Sequence, residues 1–250
     1  MFTIMSEPNN SNAVRIGVLT PSSNTALEPL IAAMLAPLPG HSAHFSRFRV
    51  TEIALDARAL GQFDDANILA AAELLADAKV DVIGWSGTSA GWLGFERDQL
   101  LCERIRAHTG IPATSAVQSL NELMRLRGIT TLGLVSPYTS DVQERIVQNY
   151  RNIGIDVVAE RHLGIRVNHD FGLVEPAQLS QMFGEVALSK PAAISTYCTN
   201  LRAAALAPGL EARHGVPLLD TVSTTVWGLL RLAGSDPSRI TNWGGLFQWA

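Results

Sequence analysis

"PAAISTYCTNLRAAALAPGLEARHGVPLLDTV", residues 191–222, and "KVDVIGWSGTSAGWLGFERDQLLCERIRAHTGIPATSAV", residues 79–117, carry the same parts in the same order. Each is an apolar strand, a small-polar turn, a long helix, a glycine, then X-Pro and a second strand. The flanking sequence repeats as well. "ITTLGLVSPYTSDVQERIVQNYRNIGIDVV", residues 129–158, follows the order of the opening: strand, Pro-containing turn, helix, strand. In the opening these are "VRIGVLT" (14–20), "SNTALEPLIAAML" (23–35) and "AHFSRFRV" (43–50). Helices are also predicted over "DDANILAAAELLADA" (64–78), "QSLNELMRLRG" (118–128) and "TVSTTVWGLLRLAG" (221–234). A unit of roughly half the chain is too long for a solenoid repeat.

The pattern therefore predicts an α/β fold of two pseudo-symmetric lobes. Each lobe is a parallel sheet flanked by helices. The first lobe is expected over 14–118, joined by a C-terminal helix over 221–250. The second is expected over 119–220. In open α/β sheets, ligands bind at the carboxyl ends of the strands. The site is thus expected in the cleft between the lobes, where those ends meet.

The composition narrows the function. The chain has 250 residues, a net charge of −4 and 47% hydrophobic residues. That supports a large core and argues against nucleic acid or an anionic membrane as partner. No apolar run is long enough to span a bilayer. Residues 1–12, "MFTIMSEPNNSN", show no secretion signal, and their end, "SEPNNSN" (6–12), reads as a loose tail. Two cysteines without a CxxC suit a reducing compartment, so a cytoplasmic location is expected. The six histidines are scattered and no HExxH occurs, so no metal site is expected. GxGxxG, GxxxxGK[ST] and GxSxG are missing too, and no cofactor is expected.

Three stretches can carry chemistry. "TPSSNT" (20–25) and its repeat mate "SPYTSD" (136–141) each follow a strand and open a helix. Pro21, Ser22 and Asn24 in the first, and Tyr138 in the second, are candidates to hold an anion at a helix start. Ordinary N-capping explains a single copy equally well. "GTSAG" (87–91) offers a close-approach glycine, Gly87, beside the hydroxyls of Thr88 and Ser89, the makings of an oxyanion hole. A flexible turn of small residues is the plainer reading. Cys198 ends a strand and is followed by Thr199 and Asn200, in the register of Gly87. A helix start beside it would lower its pKa. Cys102 lies in the apolar face of "QLLCERI" and reads as inert. Arg166, Asn168 and His169 stand in "GIRVNHDFG" (164–172), expected to be a loop within reach of the cleft.

These residues resemble a known group. Two pseudo-symmetric lobes with paired cysteine positions resemble the aspartate/glutamate racemase superfamily. "GVLTPSSNTALEP" (17–29), "VSPY" (135–138) and "CTNLR" (198–202) look like its maleate cis–trans isomerase branch. "GTS" (87–89) with a single later cysteine is similar to arylmalonate decarboxylase. The resemblance covers nearly the whole chain from Val14. It implies a cofactor-free site with thiols on opposite faces of a carboxylate substrate. Racemases use both thiols, and maleate isomerases use the first as a nucleophile. Here Gly87 stands at that first position, as in the decarboxylase.

The resemblance implies that Thr88, Ser89 and Tyr138 hold the retained carboxylate and that Cys198 protonates the carbanion. Pro21, Ser22, Asn24, Gly87, Asn168, Thr199 and Asn200 complete the expected substrate contacts. The expected activity is decarboxylation of a malonate-like, 2-substituted dicarboxylic acid. The alternatives are a maleate-type isomerase or racemase of a small acid, and a non-catalytic carboxylate-binding protein. Trp85 and Trp92 flank "SGTSAG" and offer cover for a flatter group. Asn24 instead suggests a second clamp on a small diacid. The partner is a small carboxylic acid, and a homo-oligomer is among the assemblies left open.

Overall fold

Strand β1 (Arg15–Pro21) has six of its seven residues buried, so both of its faces are covered. This is the mark of a parallel sheet between helix layers. A computed structural model describes residues 13–249. The tail expected over 6–12 lies outside the described residues. After β1 come α1 (Leu27–Leu35), β2 (Ser42–Phe48), α2 (Ala57–Gly61), α3 (Asp65–Asp77) and β3 (Val82–Trp85). Then follow α4 (Ala90–Leu93), α5 (Phe95–Thr109), β4 (Ala113–Ser115) and α6 (Ala116–Leu126). The second series opens with β5 (Thr131–Ser136), α7 (Ser140–Asn152), β6 (Asp156–His162), α8 (Asn168–Phe171) and α9 (Pro176–Ala187). It closes with β7 (Ala193–Thr196), α10 (Ala207–His214), β8 (Leu218–Asp220) and α11 (Thr221–Leu232).

The two sheets have the same design. Their strand orders are β2-β1-β3-β4 and β6-β5-β7-β8, and every pairing is parallel. The match extends to the helix ends. Gly110 and Gly215 close α5 and α10 at φ +73° and +67°, a region that favours glycine. Their N–H groups return to Arg106 O at 2.9 Å and Glu211 O at 2.8 Å. Ser115 then caps α6 through the Gln118 N–H (3.0 Å), and Asp220 caps α11 through the Val222 N–H (2.9 Å). Equivalent sequence positions thus do equivalent backbone chemistry in both lobes.

The last helix crosses between lobes. α11 follows the second sheet in sequence, and all of Thr221–Leu230 is buried. Thr224 Oγ1 donates to Ala116 O at the start of α6 (3.1 Å). Leu229 presses on β3, leaving a Cβ built on Gly84 only 2.8 Å from its Cδ1. One hydrophobic core joins β1, β3, α6, α11 and much of the second lobe.

Four details depart from the sequence reading. α1 starts at Leu27 rather than Ser23: Asn24 stays outside the helix, and its Oδ1 accepts the N–H groups of Ala26 and Leu27. The C-terminal helix expected to 250 stops at Leu232, where the Ser235 N–H turns back onto Leu230 O at 2.8 Å. Beyond it the described chain holds only 3-10 turns at Pro237–Arg239 and Gly245–Gln248. "NHDF", expected as loop, forms the single turn α8, and α9 is a full helix that the pattern reading did not find. Among the described residues, no helix is long and apolar enough to cross a membrane.

Candidate active site

β3 ends at Trp85 and β7 ends at Thr196, and two residues further on stand Gly87 and Cys198. Both border one cavity of about 20 Å³ at the carboxyl ends of the two sheets. Its polar lining is Thr88, Ser89, Tyr138, Asn168, Cys198 and Thr199. Its apolar lining is Pro21, Val50, Ile53, Phe63, Trp85 and Trp92. The structure therefore brings together eight of the eleven sequence-predicted site residues. Ser22, Asn24 and Asn200 do not line the cavity.

The thiol is buried and protonated. Cys198 is 3% exposed, and burial pushes its pKa up to about 12. The Asn200 N–H, 3.4 Å from Sγ, and the Tyr138 hydroxyl beside it pull in the opposite direction. The buried Asp220 carboxylate adds to the rise. The sequence reading expected a helix start to lower this pKa. No helix begins there: α10 starts at Ala207, and the residues after Cys198 form a turn. Cys198 therefore keeps its proton at neutral pH. Cys102 is also buried with a raised pKa, but it packs within α5 away from the cavity.

Thr88 and Tyr138 reach across from different lobes and meet. Thr88 Oγ1 and the Tyr138 hydroxyl lie 2.6 Å apart. Tyr138 is 2% exposed, and burial holds its pKa well above the usual phenol value. It keeps its proton and can donate. Its ring is wedged edge-on between Trp92 (5.2 Å between centroids) and Phe171 (5.6 Å). Ser89 opens the short helix α4, where its carbonyl accepts the N–H groups of Trp92 (3.1 Å) and Leu93 (2.9 Å). Three hydroxyls therefore gather at the mouth of two strands with the thiol among them. The Trp92 indole N–H, also buried, has no partner among the described residues.

The expected anion clamp at the start of α1 is used up by the protein itself. Asn24 Oδ1 accepts the N–H groups of Ala26 (2.9 Å) and Leu27 (3.0 Å). Asn200, from the other lobe, accepts those of Thr25 (2.9 Å) and Ala26 (3.2 Å). Asn24 Nδ2 donates to Thr199 Oγ1 (3.2 Å), and Thr199 donates to Ser86 O (3.0 Å). Asn200 Nδ2 donates to Asn168 O (2.6 Å), and Asn168 Nδ2 donates to Ser23 Oγ (2.7 Å). Ser22 Oγ accepts the Val50 N–H (3.2 Å). Ser22 stays within the first lobe, on Val50, whereas Asn24 and Asn200, expected as substrate contacts, join an inter-lobe latch. Their polar atoms satisfy one another because a buried helix start must find partners somewhere.

The Gly87 face is not open either. A Cβ on Gly87 would run into the indole of Trp85. Trp85 folds back from the strand end and fills the space where a second thiol would project. Trp85, one of the two tryptophans read as cover for a bulkier or flatter group, lines the cavity and packs on the glycine itself.

The apolar wall is the part that sequence reasoning missed. Val50, Ile53 and Phe63 belong to a strap between β2 and α3. It is tied to the second lobe by Ile53 N–H to Arg166 O (2.9 Å) and Asn168 N–H to Thr51 O (2.9 Å). An ion pair, Arg166–Asp56 at 2.8 Å, reinforces it. Arg166, expected to reach the cleft, thus holds the strap. His169 pairs with Asp170 at the surface. The only signal of the strap in the sequence was isolated apolar residues in a turn-rich run, which periodicity does not register. Among the described residues, no group of three or more His, Cys, Asp or Glu is placed to hold a metal ion.

Known proteins are similar to this chain in sequence and fold. The model of a family described as arylmalonate decarboxylase matches residues 38–247. A maleate isomerase of Geobacillus stearothermophilus is 25% identical over 230 residues, 87% of this chain and 90% of the relative. A maleate isomerase of Pseudomonas putida is 27% identical over 237 residues, 89% and 93% of the two chains. The crystal structure of the maleate isomerase Iso from Pseudomonas putida S16 superposes with a TM-score of 0.86 at 26% identity. That match covers 94% of this chain and 98% of the other.

Proposed function

The chain belongs to the arylmalonate decarboxylase family, in the aspartate/glutamate racemase superfamily, and from that premise we propose that it decarboxylates a malonate-type dicarboxylic acid with Cys198 as its single proton donor. At the coarser level it is an enzyme that modifies carboxylic acids, by isomerisation or decarboxylation. Such relatives set aside the non-catalytic binding protein. The observation that carries the finer reading is the asymmetry of the cavity: a protonated thiol on one side, and on the other a glycine covered by an indole.

The chemistry follows from the two halves of the lining. The carboxylate that stays faces the hydroxyls of Thr88, Ser89 and Tyr138. The carboxylate that leaves faces the apolar residues, which stabilise its charge poorly. The bond between this carboxyl and the central carbon breaks, its electrons pass into the retained carboxylate, and CO2 departs. The resulting enediolate carries charge on two oxygens, where fixed donors are worth roughly 3 kcal/mol each. The Cys198 S–H bond then gives its proton to the carbon, and the thiolate regains a proton from solvent. A thiol with a pKa of about 12 is in its acid form throughout the neutral range. One donor on one face yields one product hand.

A second reading, cis–trans isomerisation of a maleate-like diacid, is the one that the similar proteins favour more strongly. Adding a nucleophile to a double bond requires a thiolate, and a protonated Cys198 beside a covered Gly87 does not supply one directly. Methylmalonate and maleate followed by NMR in D2O separate the readings. Propionate with one deuterium, formed together with CO2 and lost in Cys198→Ala, is the expected result. Fumarate from maleate, with every malonate left intact, would replace the first reading with the second.

A further inference from the structure

Trp85 is anchored in the first sheet, unlike the strap residues of the apolar wall. It ends the inner strand β3, with Leu19 paired on one side and Ser115 on the other. Its ring lies 5.1 Å from that of Phe48 between centroids and rests on Gly87. The side chain is 1% exposed. Val50, Ile53 and Phe63 are held differently, on a strap that can give way by breaking a few hydrogen bonds and an ion pair. A ligand that enlarges the 20 Å³ cavity therefore gains its room from the strap side. The Gly87 side stays shut. About 150 Å³ is the scale of cavity that houses a benzene ring.

From this we infer that Trp85 determines specificity: its indole over Gly87 restricts the site to short dicarboxylates with a hydrogen or methyl-sized substituent and rejects aryl-substituted acids. The inference rests on the proposed reading of the cavity as a dicarboxylate site. It holds for decarboxylation and isomerisation alike. The family model that matches this chain is named for arylmalonates, and the restriction would exclude that substrate class here.

Succinate, 2-methylsuccinate and 2-phenylsuccinate test it, because neither reaction consumes them. Titration calorimetry of the parent protein should show succinate and methylsuccinate binding, with phenylsuccinate weaker by about 10-fold or more. Trp85→Leu should strengthen phenylsuccinate by about 10-fold and change succinate little. Trp85→Phe, a smaller core change that guards against misfolding of the leucine variant, should move in the same direction by less. Thermal melting checks the fold of each. Phenylsuccinate binding to the parent as tightly as methylsuccinate overturns the inference. So does an unchanged phenyl-to-methyl ratio in folded variants, or a parent that binds no succinate at all. Turnover is assayed separately. If the binding order holds while malonates and maleate are all left unchanged, the reaction reading fails and the size limit stands.

Discussion

The loop after β3 and the loop after β7 leave equivalent strands at equivalent points, and their contents diverge. The first, Ser86–Trp92, carries Gly87, covered by the indole of the preceding Trp85, and the cavity-lining hydroxyls of Thr88 and Ser89. The second, Tyr197–Ala203, carries the thiol and the latch residues Thr199 and Asn200. Strand order, helix caps and left-handed glycines repeat between the lobes, so the backbone treats the two loops alike. The side chains do not. On the proposed reading, the first loop offers donors to a negative charge and the second offers a proton. A duplicated scaffold thus presents two unlike faces to one cavity, and handed chemistry requires that.

The comparison is broken most severely by removing the proton. Cys198→Ala should lower turnover by about 10²- to 10⁴-fold, the range of a positioned acid. Because burial holds this thiol near 12, parental activity should not fall between pH 7 and 10 through loss of the acid. A descending limb centred near 8 that vanishes in Cys198→Ala would contradict the burial argument. Next comes the donor side. Tyr138→Phe or Thr88→Val should lower kcat by about 10²-fold if the hydroxyls meet developing charge. Parental kinetics in both variants would reduce Thr88 and Tyr138 to turn chemistry.

Making the two loops alike is the sharper test. Gly87→Cys alone places a Cβ against Trp85, an overpacking that costs about 1–3 kcal/mol, so its melting temperature should drop. Combined with Trp85→Leu, the new thiol has space, and the decarboxylation product should lose its single handedness on chiral chromatography. A single-handed product from the active double variant would show that the two loops do not face one carbanion. A smaller effect is expected at the latch. Asn200→Ala frees N–H groups at the start of α1 and should cost about 0.5–2 kcal/mol in urea unfolding.

The mildest test concerns Asp98, buried in α5 and hydrogen-bonded to Ser115. Burial raises its pKa to about 7. Between the unfolded value of 3.8 and 7, the folded protein holds a proton that the unfolded chain has released. Stability should therefore fall as pH rises through that window and level off above it. Asp98→Asn should remove this part of the slope. Asp220, raised to about 6 in the second lobe, would leave its own share in place.

The sequence made some of this legible and hid the rest for physical reasons. Paired apolar strands, Gly110 with Gly215, and the register of Gly87 with Cys198 all follow from backbone rules that act locally. The cavity partners Thr88, Ser89 and Tyr138 were readable because they sit at strand ends. What Asn24 and Asn200 do was not, because a side-chain amide serves equally well as cap, latch or ligand until its partners are known. The packing of Trp85 on Gly87 depends on a rotamer. The thiol's pKa depends on burial from every side. α9 was missed although its apolar residues Leu179, Met182, Phe183 and Val186 have helical spacing. It lies between the two runs, 129–158 and 191–222, that drew the reading, at the place in the second lobe that α3 holds in the first.

The crossing of α11 has a consequence for how the protein is made. Its inner face supplies Leu229 over β3 and Thr224 on α6, so the first lobe is roofed by residues near the far end of the chain. A ribosome delivers the first lobe's strands early and this roof last. Each lobe can assemble its sheet within one uninterrupted stretch of sequence, but the first lacks its α11 cover until that helix is made. The first must wait for the nascent chain to clear the exit tunnel, with its apolar surface uncovered meanwhile. In birth order, the lobe translated first is the lobe completed last.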